Sequence, residues 1–350
     1  MRVMVIGAGL GGLTLAHGLR RAGVDVVVYE RDQATGRPQG VSLHFDDRAL
    51  TAMRACLPPG HAAMVEATAG GQREHTLSLS EADGELTVSA QPENRARKGR
   101  QVHRPLLRAV LSTGMEDHVR FGAEFTRFEQ RAGGTVRAWF ADGSTDTADV
   151  LVGADGIGSA VRSQYLPHVQ VIDTGKRMLM GATPLRAVAG TGLPALIGHN
   201  ATSVNVRGAA MALGVLRFSQ TPAAARDRWL PALRSPAVDD AEDYLMWALP
   251  FTKEASIPQH PVLRLVIDEA WPDVTAELRI GVIPPMPPWP AGPVTLIGDA
   301  IHLAPGFGGN LAMQDAHRLR DALVRGGPGA IGAYEDAMRR DNFPQPVGAV

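Results

Sequence analysis

The sequence predicts an α/β fold in which a parallel-sheet domain is discontinuous along the chain and a mixed β-sheet is inserted into it. Three observations predict this. The β-branched run "RVMVIG" opens the chain and meets Gly7-Ala8-Gly9-Leu10-Gly11-Gly12; "DVLVGADG" meets an Asp-Gly turn at Asp155 and Gly156; "PVTLIGDA" ends at Asp299 before a glycine-rich loop. Such apolar runs mark strands buried on both faces of a parallel sheet, and helical patterns follow each of them.

The first thirty residues are a complete βαβ unit. After the opening strand, Leu13, Ala16 and Leu19 recur at helical spacing, Arg20 and Arg21 close the helix and Gly23 stops it. A second strand, "VDVVVYE", ends at Glu30. Glycines at 7, 9 and 12 supply a tight turn, close approach of backbone to a pyrophosphate, and close helix-strand packing. The helix N-terminus adds free N–H groups and partial positive charge. Glu30 lies 18 residues beyond Gly12, placed to accept hydrogen bonds from a ribose diol. This is a Rossmann-type dinucleotide site, and an acid at position 30 does not by itself choose between NAD and FAD.

Farther along, Asp155 and Gly156 stand at the carboxyl end of their strand, where ligands of open α/β sheets bind, with Ser159 and Arg162 on the helix that follows. Residues 75–90 read as a hairpin. "MLMGATPL", "ATSVNVRGAAMALGVLRF" and "DYLMWALPF" read as strands of the inserted sheet, and "HPVLRLVIDEAWPDVTAELR" as helix broken near Pro272. "VIPPMPPWPAGP" reads as a connector back to the last parallel strand. The boundaries expected are 1–74, 100–170 and 285–350 for the cofactor domain, and 75–99 with 171–284 for a substrate-binding sheet. Met178, Met180, Met211, Met246, Trp247 and Phe251 are candidates for an apolar pocket between them.

Bulk composition narrows the classes. With 35 basic against 36 acidic residues among 350, no global field draws the chain to nucleic acid or an anionic membrane. "RARKGRQVHR", residues 95–104, is a local basic run that reads as a solvated loop except at Arg104. The lone Cys56 excludes an intrachain disulfide and suits a reducing cytoplasm. No apolar run approaches the ~18–20 residues of a membrane span. No His/Cys/carboxylate cluster has metal-ligand spacing, and no G-x-S-x-G supports serine-nucleophile chemistry.

In order along the chain, the GxGxxG opening, the Asp-Gly-x-x-Ser-x-x-Arg over 155–162 and the Gly-Asp at 298–299 resemble FAD-dependent monooxygenases of the aromatic-hydroxylase type. That family is p-hydroxybenzoate hydroxylase-like and includes polyketide-tailoring oxygenases. The resemblance implies that Gly7, Gly9 and Gly12 hold the FAD pyrophosphate and that Glu30, with Arg31 beside it, holds the adenosine ribose. It puts Asp155 and Gly156 where FAD and passing NADPH or NADH are contacted, and Asp299 at the ribityl or pyrophosphate portion. Within "HRPLLRAVL", Arg104 would reach the FAD phosphates and Pro105 suits the first helical turn. Gly40 would lie in the loop beside the isoalloxazine ring, with His44 in the strand after it. Pro305 would turn the backbone under the ring, and Gly309 and Asn310 would bring a helix start to its pyrimidine edge. Relatives usually read P-x-x-G-x-G-x-N there; "PGFGGN" is two positions shorter.

The implied activity is reduction of bound FAD by NAD(P)H, followed by transfer of one atom of O2 to an organic substrate, aromatic or polyketide-like, by a monomer or homodimer. No catalytic base is identified. A flavin-fold cyclase or dehydrogenase without oxygenation, and an FAD-binding protein without turnover, remain alternatives.

Overall fold

The computed structural model describes residues 1–33, 40–90, 98–206, 209–251, 258–304 and 308–343. β1 (Arg2–Ile6), α1 (Leu10–Arg21) and β2 (Asp25–Glu30) make the opening unit, followed by β3 (Ser42–Phe45), α2 (Asp47–Cys56) and α3 (Pro59–Thr68). β4 (Thr76–Ala82) and β5 (Glu85–Ala90) form a hairpin around Asp83 and Gly84. These two residues have φ of 52° and 80°, the paired left-handed geometry that Asp-Gly supplies in tight hairpins. β6 (Arg100–His103) runs directly into α4 (Arg104–Ser112), where Pro105 occupies the first turn. β7 (Val119–Phe121) precedes a small antiparallel sheet of β8 (Phe125–Gln130), β9 (Val136–Phe140) and β10 (Thr145–Ala148), and then come β11 (Val150–Gly153) and α5 (Ala160–Tyr165).

The long β12 (Ile172–Pro184) leads to short helices α6 (Leu185–Val188) and α7 (Leu193–Ile197), then β13 (Ala201–Val206) and β14 (Ala209–Leu216). Next are α8 (Pro222–Trp229), α9 (Pro236–Asp239), β15 (Tyr244–Phe251), α10 (Pro261–Asp268) and β16 (Ala276–Val282). The chain closes with β17 (Val294–Leu296), a 3-10 turn at Gly298–Ala300, α11 (Gly308–Gly326) and α12 (Ile331–Asn342).

The parallel sheet has the order β17-β11-β1-β2-β7. From β1 the chain builds one flank with β2 and β7 and the other with β11 and β17, so the order reverses between β1 and β11. Open α/β sheets bind ligands at that reversal, outside the carboxyl ends of the strands. Because all four pairings are parallel, the ends after Ile6, Glu30, Gly153 and Leu296 share one edge of the sheet.

The second sheet has seven strands in the order β16-β12-β15-β14-β13-β4-β5. Its two faces differ sharply. Leu245, Trp247, Leu249, Leu213 and Met211 are buried on the outer face beneath apolar side chains of α6, α7 and α10. Each such side chain, fully buried, stabilises the fold by roughly 1.5–3 kcal/mol. On the inner face, Ala212 lies on a central strand yet is exposed, as are Ser203, Asn205 and Ala210. Small side chains on strands without a covering layer leave that face open. At one end it is closed by Tyr244, Leu216, Ala182 and Val41.

Two sequence expectations change here. Residues 276–279, expected as helix, are strand: β16 pairs antiparallel with β12 as the sheet edge, and Pro272 begins a 3-10 turn after α10 instead of interrupting a longer helix. Met211 and Trp247 belong to the outer-face core and do not line the open face. Met246 faces inward by register with Gly214 and Ala182, and Met180 by register with Ala248. The Phe251 side chain lies outside the described residues.

Candidate functional site

The glycine loop after β1 is locked to the loop after β11. Gly7 has φ +110°, and a Cβ there would stand 2.3 Å from the Ala154 carbonyl oxygen, so only glycine fits. A Cβ on Gly12 would stand 2.0 Å from the Gly7 carbonyl oxygen, which fixes how closely α1 packs on β1. Gly9 is different: its hypothetical Cβ has nothing nearer than 4.0 Å, so the absence of a side chain there clears an open surface. Gly9 is the N-cap of α1, with no side-chain cap and no acid in the first turn, leaving the positive end of the helix facing that surface. Glu30 is half-buried; its Oε2 accepts the Ala8 N–H at 2.8 Å and its Oε1 the Asp32 N–H at 2.9 Å. It therefore braces the loop as well as marking the end of β2, while Arg31 next to it is exposed.

Asp155 caps α5, its Oδ2 accepting the N–H groups of Ala160 and Val161 at 2.8 and 3.2 Å. Its other oxygen is buried with no hydrogen-bond partner among the described residues. Burial pushes the carboxyl pKa up, against the opposing contacts with Ser159 and the amides. Gly156 has φ +76°, the left-handed turn an Asp-Gly pair provides. Arg162, buried on α5, donates from Nη1 to the Ala300 carbonyl at 2.9 Å and from Nη2 to the Ile157 carbonyl at 2.8 Å. It thus ties the turn after β11 to the turn that carries Asp299.

Asp299 is exposed, but it stands in a crevice whose walls crowd it; this desolvation pushes its carboxyl up, opposed by His302 and Arg104. Gly308, the first residue of α11, makes room for it, since a Cβ there would meet Asp299 Oδ1 at 2.6 Å. Behind the turn, buried Asp315 accepts from Gly298 N–H at 2.9 Å and lies 2.6 Å from His302 Nε2. Burial opposes a charge on His302, but the Asp315 contact outweighs it and raises the pKa.

The start of α11 meets the start of α1. A Cβ on Gly309 would touch Leu10 of α1 at 3.4 Å and Leu43 of β3 at 3.6 Å. Asn310 is buried and fully used: Nδ2 donates to the His44 carbonyl at 2.7 Å, and Oδ1 accepts Asp46 N–H at 3.0 Å. The Asn310 side chain is therefore a clasp on the β3-α2 corner, and the backbone of this helix start remains the part that can face a ligand. Asn310→Ala leaves two half-buried backbone groups without their partner and costs about 2 kcal/mol, measurable by urea unfolding. Pro305, with the rest of "PGF", lies outside the described residues.

Arg104 opens α4; its backbone N–H donates to the Val41 carbonyl at 2.9 Å. Its guanidinium lies about one contact away from Gly40, whose hypothetical Cβ is 4.0 Å from Nη1, and it feels the Asp299 charge. Glycine loop, Glu30, Asp155, Asp299, Arg104 and the start of α11 are thus gathered at one edge of the parallel sheet, beside the open face of the second sheet. Sequence reasoning missed Asp315, whose partners Gly298 and His302 lie 17 and 13 residues earlier across the glycine-rich loop, and it missed His103 and Tyr244, which meet across 141 positions of chain with no local signal. Among the described residues no group of His, Cys, Asp and Glu is arranged to hold a metal ion, and no helix is long and apolar enough to cross a membrane.

Comparison with known proteins agrees with this geometry. The family model for the FAD binding domain matches residues 1–246 and 285–329. The dual O-methyltransferase/FAD-dependent monooxygenase elcB of Phaeosphaeria nodorum is 29% identical, over 99% of this chain and 42% of its own length. The chain spans less than half of the first curated relatives it matches. The FAD-dependent urate hydroxylase of Klebsiella oxytoca is also 29% identical, over 97% of this chain and 86% of that one. Among solved structures, one from Photorhabdus luminescens subsp. laumondii, described as an FAD-containing monooxygenase, superposes with a TM-score of 0.80 at 26% identity, covering 97% of this chain and 94% of that one. Klebsiella pneumoniae HpxO complexed with FAD and uric acid shares the fold, with a TM-score of 0.72 at 24% identity over 95% and 83% of the two chains. The chain belongs to the FAD binding domain family, and its relatives include FAD-dependent monooxygenases of the kind its three motifs resemble.

Proposed function

We propose that the chain is an NAD(P)H-dependent flavin monooxygenase that inserts one oxygen atom of O2 into an organic substrate, aromatic or polyketide-like. The observation that carries this reading is the meeting of two surfaces: the carboxyl edge of the parallel sheet, and the open inner face of the seven-stranded sheet beside it. The residues fit FAD. An uncapped helix N-terminus over Gly9 suits a pyrophosphate, Arg104 adds a positive charge, and Glu30 closes the ribose end. Asp155, with one buried oxygen unpartnered among the described residues, and Asp299 in its crevice face the middle of such a ligand. When bound, FAD supplies hydride acceptance and oxygen activation.

The chain's own residues do the rest. The start of α11 offers positive helix-end potential to the ring edge that becomes anionic on reduction. Small residues on β14 and β15 leave space for a flat substrate, and Met180 and Met246 wall it with adaptable apolar surface. Domain boundaries of 1–74, 100–170 and 285–350 against 75–99 and 171–284 follow from this division of labour. The buried Cys56 thiol suits a reducing cytoplasm.

The test is an absorption spectrum of purified protein with FAD, then oxygen uptake with NADH or NADPH over a panel of phenols and polyketide-like aromatics. The expected result is a yellow holoprotein whose oxygen uptake is stimulated by substrate, with one labelled oxygen atom found in product. A preparation that neither retains nor takes up FAD would overturn the reading; reduction without oxygen incorporation would favour cyclase or dehydrogenase chemistry.

A further inference from the structure

One histidine stands at the seam of the two surfaces with its hydrogen bonds directed. His103 ends β6, pairs with Ser42 of β3, and immediately precedes Arg104. It is half-buried, its ring 5.6 Å from that of Tyr244 and 5.9 Å from that of Phe218. Tyr244 comes from the inner face of the seven-stranded sheet and is fully buried.

Donor and acceptor directions around it follow from elementary chemistry. The Val41 carbonyl can only accept, so the Tyr244 hydroxyl, 3.1 Å away, must donate to it. The Tyr244 oxygen is then left with lone pairs alone. Arg73 Nη2 donates to Gln101 Oε1 at 2.7 Å, which orients the amide so that Gln101 Nε2 donates to Ser42 Oγ. Ser42 has its own hydrogen to give and lies within hydrogen-bonding reach of Tyr244. His103 Nδ1 is 3.5 Å from the same tyrosine oxygen, so it can join only as a donor. An imidazole with hydrogen on Nδ1 has a lone pair on Nε2, and that atom has no hydrogen-bond partner among the described residues.

We infer that His103 is a substrate-contacting residue, held as its Nδ1–H tautomer by Tyr244, whose Nε2 accepts a hydrogen bond from a hydroxyl or N–H group of the substrate. This rests on the inner face being the substrate surface. Burial pushes the His103 pKa down to about 4, so the ring is neutral at physiological pH and selects a protonated donor over a carboxylate. So weak a base does not take the substrate proton for itself. It fixes the direction of that O–H or N–H bond relative to the flavin-side loop, through Val41, whose carbonyl also holds Arg104 N–H. A substrate lacking the donor leaves Nε2 desolvated without a partner, and a site built this way rejects such analogues strongly.

Two measurements test this on the full chain, the second with FAD bound. The first is the 15N signature of His103, which reports the tautomer without any substrate: wild type is expected as Nδ1–H, and Tyr244→Phe as a mixture. The second is titration of the flavin absorption with 2-naphthol, 2-methoxynaphthalene and 2-naphthoate. The naphthol is expected to bind about tenfold tighter than its methyl ether, with the difference lost in His103→Ala. An Nε2–H ring in wild type, equal affinities for the three probes, preference for naphthoate, or no binding of any probe overturns the inference. Failure of wild type to hold FAD would instead sink the functional reading, and the tautomer measurement needs no flavin. Should His103→Ala melt early, His103→Gln with retained melting temperature takes its place.

Discussion

Gly9→Val weakens FAD binding about 100-fold while leaving the melting temperature of the apoprotein nearly unchanged, whereas Gly12→Ala damages the fold itself. The two glycines are three residues apart in one motif but serve different links of the chain from sequence to function. At Gly9 the backbone is extended, with φ −75° and ψ −176°, a conformation any residue adopts, and a Cβ meets nothing. A side chain there stands only where the ligand must approach, and it takes phosphate oxygens out of reach of the helix-start N–H groups. Each charge-assisted hydrogen bond lost is worth roughly 1.5–3 kcal/mol, enough for that factor. At Gly12 the added methyl falls 2.0 Å from a backbone carbonyl, which cannot rotate away as a side chain would. Relief requires α1 to move off β1, at a cost of at least about 3 kcal/mol. Calorimetric titration of FAD beside thermal melts of both apoproteins separates the effects. Unchanged FAD affinity in Gly9→Val would remove the glycine loop from the cofactor site.

Much of this was legible in the sequence because parallel strands and their glycine turns are local signals. "RVMVIG" reads as a buried strand from six letters, and Asp155 and Asp299 are found by what precedes them. Their common edge also follows, since parallel pairing sends every carboxyl end the same way. What could not be read was which side chains use their polar atoms on one another. Asn310 looks like a ligand contact in the motif, yet its amide is spent on His44 and Asp46, more than 260 positions earlier. Residues 276–279 were misjudged for a related reason. "AELRIGV" alternates too weakly to declare a strand, and pairing with β12 along the sheet edge decides it. The helices covering the outer face, α6 and α7, are too short to show a period.

Asp315→Ala is expected to destabilise the protein by about 3–5 kcal/mol, because it removes one partner of a buried charged pair and leaves the other. Asp315 is fully buried; it holds His302 and the Gly298 N–H, and Asn342 Nδ2 approaches its second oxygen at 3.3 Å. Without it the turn bearing Asp299 loses its rear support, so FAD affinity falls along with stability. The pH dependence identifies the cause. The His302 pKa is raised, so its pairing adds stability that is complete below about pH 6.5 and is lost as pH rises through the folded pKa. Glu335, close by on α12, is 1% exposed, accepts from Thr295 at 2.8 Å, and has its pKa pushed by burial from 4.5 to about 7, against the opposing contacts with Thr295 and Trp289. Between those values the folded state binds more protons than the unfolded one, so stability falls with rising pH, by about 3 kcal/mol in all. His17 works in the opposite sense: burial lowers its pKa to about 4, so its contribution grows from pH 4 to 6.5. Opposed slopes flatten the wild-type profile, so the informative quantity is a difference. Glu335→Gln keeps an acceptor for Thr295 and removes the titration. Its stability relative to wild type should rise steadily from about pH 4.5 to 7 and stay level above. A pH-independent difference would mean that Glu335 is ionised in the folded core at neutral pH, against its burial.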